Sequence, residues 1–181
     1  MSETERHRAL LDERSAALAG RGNTERRNGA RREFLVCAVG AEHYGFPLAA
    51  TAAVMPERAC TPVPGAPPAL RGIVSHAGII VSVIDLAEAV GTRGEGADAG
   101  HGHFLRLRAD DPPVALAVDR VIGLASVEAD AIEATPRTDG RDGLGDAAIS
   151  GYAPAGSDRG GGVSDGFAIL DLQRLLRPFL S

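Results

Sequence analysis

Lysine and tryptophan are absent from this 181-residue chain, only two cysteines occur, and aromatic residues make up just 4% of it. All nineteen basic residues are therefore arginines, a bias of genome composition rather than of chemistry. The cysteines, Cys37 and Cys60, lie far apart and form no CxxC pair, which excludes a disulfide framework or a thiolate metal knot. Cys37 sits inside an apolar strand pattern, where a buried free thiol is expected, and a reducing cytosol suits such a chain. No stretch reaches the ~20 apolar residues of a membrane span. The N-terminus, with Glu3, Glu5, Arg6 and Arg8, has no signal-peptide core, so a cytoplasmic location is expected.

Catalytic signatures are missing too. There is no GxSxG elbow, P-loop, HExxH or Rossmann fingerprint. Ser75-His76 is the most tempting pair, but neighbours in a strand point to opposite faces, so neither side chain reaches the other. His101 and His103 have no evident third ligand. Asp139-Gly140-Arg141-Asp142 lacks the closing glutamate and the flanking helices of a calcium loop. No cofactor is expected.

What remains is length, charge and pattern. The chain is long enough for one well-cored domain or two small ones sharing an interior. Residues 1–33 carry eight arginines against six acids and the remainder eleven against eighteen, segment charges of +2 and −7. An acidic globular part argues against nucleic acid as a partner.

The pattern centres on Leu70–Gly91. Two β-branched runs, Ile73–Ala77 and Ile79–Ile84, meet at Gly78 as the strands of a tight hairpin do. Asp85 then caps a short helix, Leu86–Val90, that Gly91 ends. Ala148–Ala153, Gly166–Leu172 and the helical Gln173–Arg177 repeat this unit, with Asp171-Leu172 in the place of Asp85-Leu86. Upstream, Phe34–Val54 aligns without a gap on Phe104–Leu124. The chain is thus a duplication, each copy holding an early and a late hairpin.

Around these units the expectations are local. Glu3–Ala19 is helix-prone with a thin apolar face, and Arg21–Arg32 reads as a tether. Phe34–Val39 and Tyr44–Phe46 form the first hairpin. The alanine-rich Leu48–Val54 is expected to be helical, with Pro56 as its stop. Pro62–Pro68 reads as a stiff connection, with a polyproline II ligand for an SH3-type partner as the alternative. Thr92–Gly102 links the repeats, Thr135–Asp146 is a polar loop, and Ser157–Ser164 is expected to be a mobile surface loop. Abundant strand signals without a catalytic constellation point to an interaction module.

These residues resemble the CheW family, adaptors that couple chemoreceptors to the histidine kinase CheA. The resemblance spans about Glu33–Leu180 and rests on the order and spacing of Glu33-Phe34-Leu35-Val36, Gly40, Tyr44-Gly45, Thr61, Pro67, Gly72, Gly78, Ile84-Asp85-Leu86, Val118-Asp119, Val121 and Ile169-Leu170-Asp171-Leu172. It implies an all-β fold of two SH3-like five-stranded barrels with short helices. The first barrel would span about 33–92 and the second about 102–170, with a C-terminal helix over 171–179 and an extension over 1–32. It also implies the absence of catalysis, with a CheA-type kinase and methyl-accepting chemoreceptors as partners.

Groove positions carried over from the family are Leu48, Thr51, Ala53 and Val54 from the first barrel and Val118, Val121 and Ile122 from the second. The chain departs from the family twice. Ala53 replaces a usual glutamate, and Ser75-His76-Ala77-Gly78 replaces Asn-Leu-Arg-Gly, so Ala77 stands where the family has arginine. Joint loss of a charged pair can be nearly neutral for folding, whereas loss of one partner strands the other. The resemblance therefore implies a preserved fold with an altered receptor-facing surface. A non-flagellar chemosensory pathway, or more remotely a small hydrolase or ligand-binding barrel, is the alternative.

Overall fold

Six apolar residues in a row, Phe34–Val39, make a strand without a polar face, which suits a position covered on both sides. All six are buried. The structure, a computed structural model, describes residues 31–92, 102–134 and 148–179. The chain divides into two units, Met1–Arg31 and Arg32–Ser181. Apart from Arg31 the first lies outside the described residues, as do the helix expected over Glu3–Ala19, His101 and the polar loop Thr135–Asp146.

Strand β1 (Arg31–Val39) pairs antiparallel with β2 (Glu42–Pro47), placing Leu35 opposite Phe46 and Cys37 opposite Tyr44. The helix expected over Leu48–Val54 is corrected: one 3-10 turn, Leu48–Ala50, leads into strand β3 (Thr51–Pro56). Alanine's helix preference is weak, and pairing with a distant strand overrides it. Strands β4 (Leu70–His76) and β5 (Ile79–Asp85) form the central hairpin. Its turn residues, Ala77 and Gly78, have φ of 50° and 82°, the pair of positive angles a two-residue type I′ connection uses. Helix α1 (Leu86–Val90) starts where the Asp85 carboxylate accepts the Glu88 N–H and ends at Gly91, left-handed at φ 76°.

The second copy follows the same order. Strands β6 (His103–Asp110), β7 (Pro113–Val118) and β8 (Arg120–Glu128) match β1 to β3, so Val121–Gly123 belongs to a strand as Thr51–Ala53 does. A 3-10 turn at Ala129–Ala131 precedes β9 (Glu133–Ala134). The late hairpin is β10 (Ile149–Ala153) with β11 (Phe167–Leu170), followed by α2 (Leu172–Leu176) and a 3-10 turn over Arg177–Phe179. The Asp171 carboxylate caps α2 by accepting the N–H groups of Gln173 and Arg174. Equivalence extends to detail: Asp85 N–H donates to Ala69 O and Asp171 N–H to Ala148 O, both at 2.7 Å. Each late hairpin also breaks register once, between Leu70 and Gly72 and between Ile149 and Gly151.

The strands assemble into two mixed sheets, and neither follows the halves of the chain. Sheet A has the order β8-β1-β2-β11-β10-β9 and sheet B the order β3-β6-β7-β5-β4. A division of the strands at residues 92 and 102, as the expected barrel ranges require, does not describe them. Each copy lends its early hairpin to one sheet and its late hairpin to the other, through parallel pairs β2·β11 and β5·β7. The third strand of each copy crosses as well.

Three buried clusters result. Phe34, Val36, Ala125, Val127, Phe167 and Ile169 fill the interior of sheet A, where the Phe34 and Phe167 rings meet edge to face at 5.6 Å. Met55, Val74, Val81, Val83, Phe104 and Ala115 fill that of sheet B. A larger cluster between the sheets takes Leu35, Cys37 and Phe46 from one and Leu105, Leu116 and Ile84 from the other, with Leu86, Leu175 and Leu176 of the helices. Alternate residues of β1 and β7 thus face different cores, which explains runs without polar positions.

Candidate functional site

The two places where an early hairpin hands over to its third strand are equivalent under the duplication, which pairs Leu48 with Val118, Thr51 with Val121 and Val54 with Leu124. Val118 is a buried member of the inter-sheet cluster, and Leu48 and Val121, both partly buried, rest against it. Three of the expected groove residues are therefore brought to one apolar body. Ile122 instead packs on the core of sheet A.

Thr51 is only 8% exposed, and its Oγ1 has no hydrogen-bond partner. Burying a hydroxyl without a partner opposes folding. Beyond it Ala53 is half-buried and Val54 is 43% exposed. Ala77 is exposed at the tip of the β4–β5 hairpin. Ala53 and Ala77 share sheet B but lie on elements at opposite ends of its strand order.

Several residues escaped the sequence reading. Leu124, 55% exposed, is the equivalent of Val54, a relation already present in the gapless alignment. Ile79 and Ile80, 37% and 59% exposed, make the hairpin tip apolar. The β7–β8 junction is anchored by Asp119, whose carboxylate accepts the Gly40 N–H at 2.6 Å while its own N–H donates to Ala38 O. Ala49, the equivalent residue of the first copy, has no side chain to do this.

The loop expected to be mobile, Ser157–Ser164, is ordered by one carboxylate. Asp158 accepts the N–H groups of Ser126 (2.8 Å), Gly160 (2.8 Å), Gly162 (2.7 Å) and Val163 (3.0 Å). Partial burial raises its pKa, but the four backbone donors outweigh that and hold it below the ordinary value.

Chemically the surroundings are quiet. Burial pushes the Cys37 thiol up to about 12, leaving it without thiolate character near neutrality. Cys60 is raised as well, by burial first and by Glu57, with Arg71 opposing. Arg71 donates to Glu57, which also accepts the Gly102 N–H. Among the described residues no group of three His, Cys, Asp or Glu side chains is placed to hold a metal ion. No helix among them is long and apolar enough to cross a membrane. The arrangement offers exposed apolar side chains and strand edges.

Comparison with known proteins bears on the fold and the family. No curated protein matches the sequence. Among solved structures the scaffolding protein TtCheW from Thermoanaerobacter tengcongensis is similar, with a TM-score of 0.66 and 22% identity over 80% of this chain and 87% of that one. That likeness concerns the fold, whereas residues 33–178 match the CheW-like domain directly. A match over that much of the sequence places the chain in the CheW-like domain family.

Proposed function

We propose that this protein is a non-catalytic cytoplasmic adaptor that couples methyl-accepting chemoreceptors to a CheA-type histidine kinase. The observation carrying this reading is the CheW-like match over residues 33–178. The packing is compatible with it, since Leu48 and Val121, both partly exposed, flank the buried Val118 of the inter-sheet cluster. In this reading each sheet curls around its own core as an SH3-like barrel, and one barrel meets the kinase's regulatory domain. The receptor tip lies along the groove formed by Leu48, Thr51, Ala53 and Val54 with Val118, Val121 and Ile122. Bridging works by effective concentration: modest separate contacts become strong when both partners are held by one scaffold. Differential affinity for the kinase's active and inactive states would then shift its population.

Ala53 and Ala77 favour a receptor surface unlike the family's usual one, as in a divergent or non-flagellar pathway. Capture of native partners from lysate, with the full chain and with a chain lacking residues 1–32, tests the coupling. Recovery of a CheA-type kinase together with receptors by both chains is expected. Recovery of neither, under conditions that preserve weak complexes, would refute it. Ala53→Glu combined with Ala77→Arg should raise affinity for a receptor fragment by about tenfold if the lost charges once paired across this surface. No gain would count against the altered surface.

A further inference from the structure

The duplication sets a problem at two equivalent edges, and the chain answers it in two ways. Strands β3 and β8 each end a sheet, leaving one row of backbone groups unpaired by a neighbouring strand. On β3 the position equivalent to Ser126 is Pro56, which has no N–H to offer. On β8 the Ser126 N–H is present, and it donates to Asp158. The late hairpins differ correspondingly: β4 and β5 are joined by Ala77-Gly78 alone, whereas residues 154–166 join β10 to β11.

That longer connection returns to β8. Val127 and Asp158 form an antiparallel bridge, and Arg159 N–H donates to Ser126 O. Further along, the chain lies so close that a Cβ on Gly162 would stand 2.7 Å from Leu124 O, and one on Gly123 would stand 3.3 Å from Gly162 O. Val163, whose N–H is held by Asp158, buries its side chain in the core against which Ile122 packs. One carboxylate is thus linked to the backbone of Gly123-Leu124 through Gly162 and to Ile122 through Val163.

We infer that residues 158–163 are a strap across the free edge of β8 and that Asp158 is the positioning residue holding Ile122–Leu124, the β8 part of the partner-facing surface. The strap occupies the edge that an added strand would otherwise use. The binding consequence rests on the coupling function proposed above; the strap itself does not.

The test compares wild type with Asp158→Ala and Asp158→Asn in the full chain, reading amide exchange by residue and affinity for two probes, a receptor-tip fragment and the kinase regulatory domain. In Asp158→Ala, exchange at Ser126, Gly162 and Val163 should rise by about tenfold or more, with Gly123 and Leu124 following, while Val74 and Val81 in sheet B stay unchanged. Asp158→Asn, which keeps an acceptor oxygen, should lie between. Receptor-fragment affinity should fall by about tenfold and kinase-domain affinity stay within about twofold, a split that general destabilisation would not produce. Unchanged exchange at Gly123 and Leu124 overturns the strap. Raised exchange with unchanged receptor affinity overturns the positioning role. Wild type that binds neither probe refutes the coupling function instead, and the exchange result still decides the strap.

Discussion

Cutting the chain between its repeats is the sharpest test of the swapped architecture. Every pairing that joins one hairpin to another element across the middle of a sheet is between repeats: β8 with β1, β2 with β11, β3 with β6, and β7 with β5. Residues 31–92 alone would keep the hairpins β1–β2 and β4–β5 and lose all four seams. The inter-sheet cluster, which draws equally on both repeats, would be halved. Isolated hairpins are marginal in water, and ordering each residue costs about 1–2 kcal/mol that the missing burial can no longer offset. Fragments 31–92 and 102–181 should therefore each be unfolded and should fold on mixing. Taking about 5 kcal/mol as a low value for an intact domain, and a linker effective concentration of about 1 mM, or about 4 kcal/mol, association comes to about −9 kcal/mol. That corresponds to a Kd of about 0.2 µM or tighter. Circular dichroism and amide-shift dispersion report folding, and titration calorimetry reports the Kd. A cooperative unfolding transition in residues 31–92 alone would refute the reasoning.

Other outcomes follow from single sites. Thr51→Val removes a buried hydroxyl without a partner and should raise stability by about 1 kcal/mol, read as a higher urea midpoint at unchanged slope; a loss would mean that the hydroxyl is satisfied in solution. Phe167→Ala deletes a buried ring packed on Phe34 and should cost about 3–5 kcal/mol. A thiol reagent at pH 8 should label Cys60 and spare Cys37 until the protein unfolds, because burial holds Cys37 protonated with a pKa of about 12. Asp158 has a folded pKa below its ordinary 3.8, so its contribution is complete above that value and is lost as pH falls through the lower folded pKa. Asp158→Asn should accordingly flatten the acid limb of the stability profile, and an unchanged limb would assign that limb to other carboxylates.

Local chemistry was legible in the sequence wherever a few adjacent residues decide the conformation. The hairpin meeting at Gly78, the caps at Asp85 and Asp171, the glycine stop at Gly91 and the gapless repeat all rest on short-range sterics and hydrogen bonding. The apolar run of β1 also announced a buried strand. Where tertiary pairing competes with propensity, the reading failed, as in Leu48–Val54, whose alanines favour a helix while β6 supplies a partner for a strand.

The repeat relates Leu48 to Val118 and Thr51 to Val121, and the structure seats Leu48, Val118 and Val121 at one buried cluster, which is a statement about packing and not about partner binding. Leu124 stood in the alignment beside Val54, yet exposure depends on what covers a strand, and no pattern of neighbours states that. The role of Asp158 was hidden for the same reason: a glycine-rich run looks like a free loop until the donors it brings to one carboxylate are in place.

By itself, then, the sequence determined the hairpin strands, their turns and caps, the duplication and membership of the CheW-like family. Only the tertiary structure decided which strands lie side by side. Alternation of side chains tells a strand which face to bury but not whose edge to join, and backbone hydrogen bonds are the same for every candidate neighbour. The exchange of hairpins between sheets, the core that both repeats build, and the strap across β8 all belong to that second kind of information.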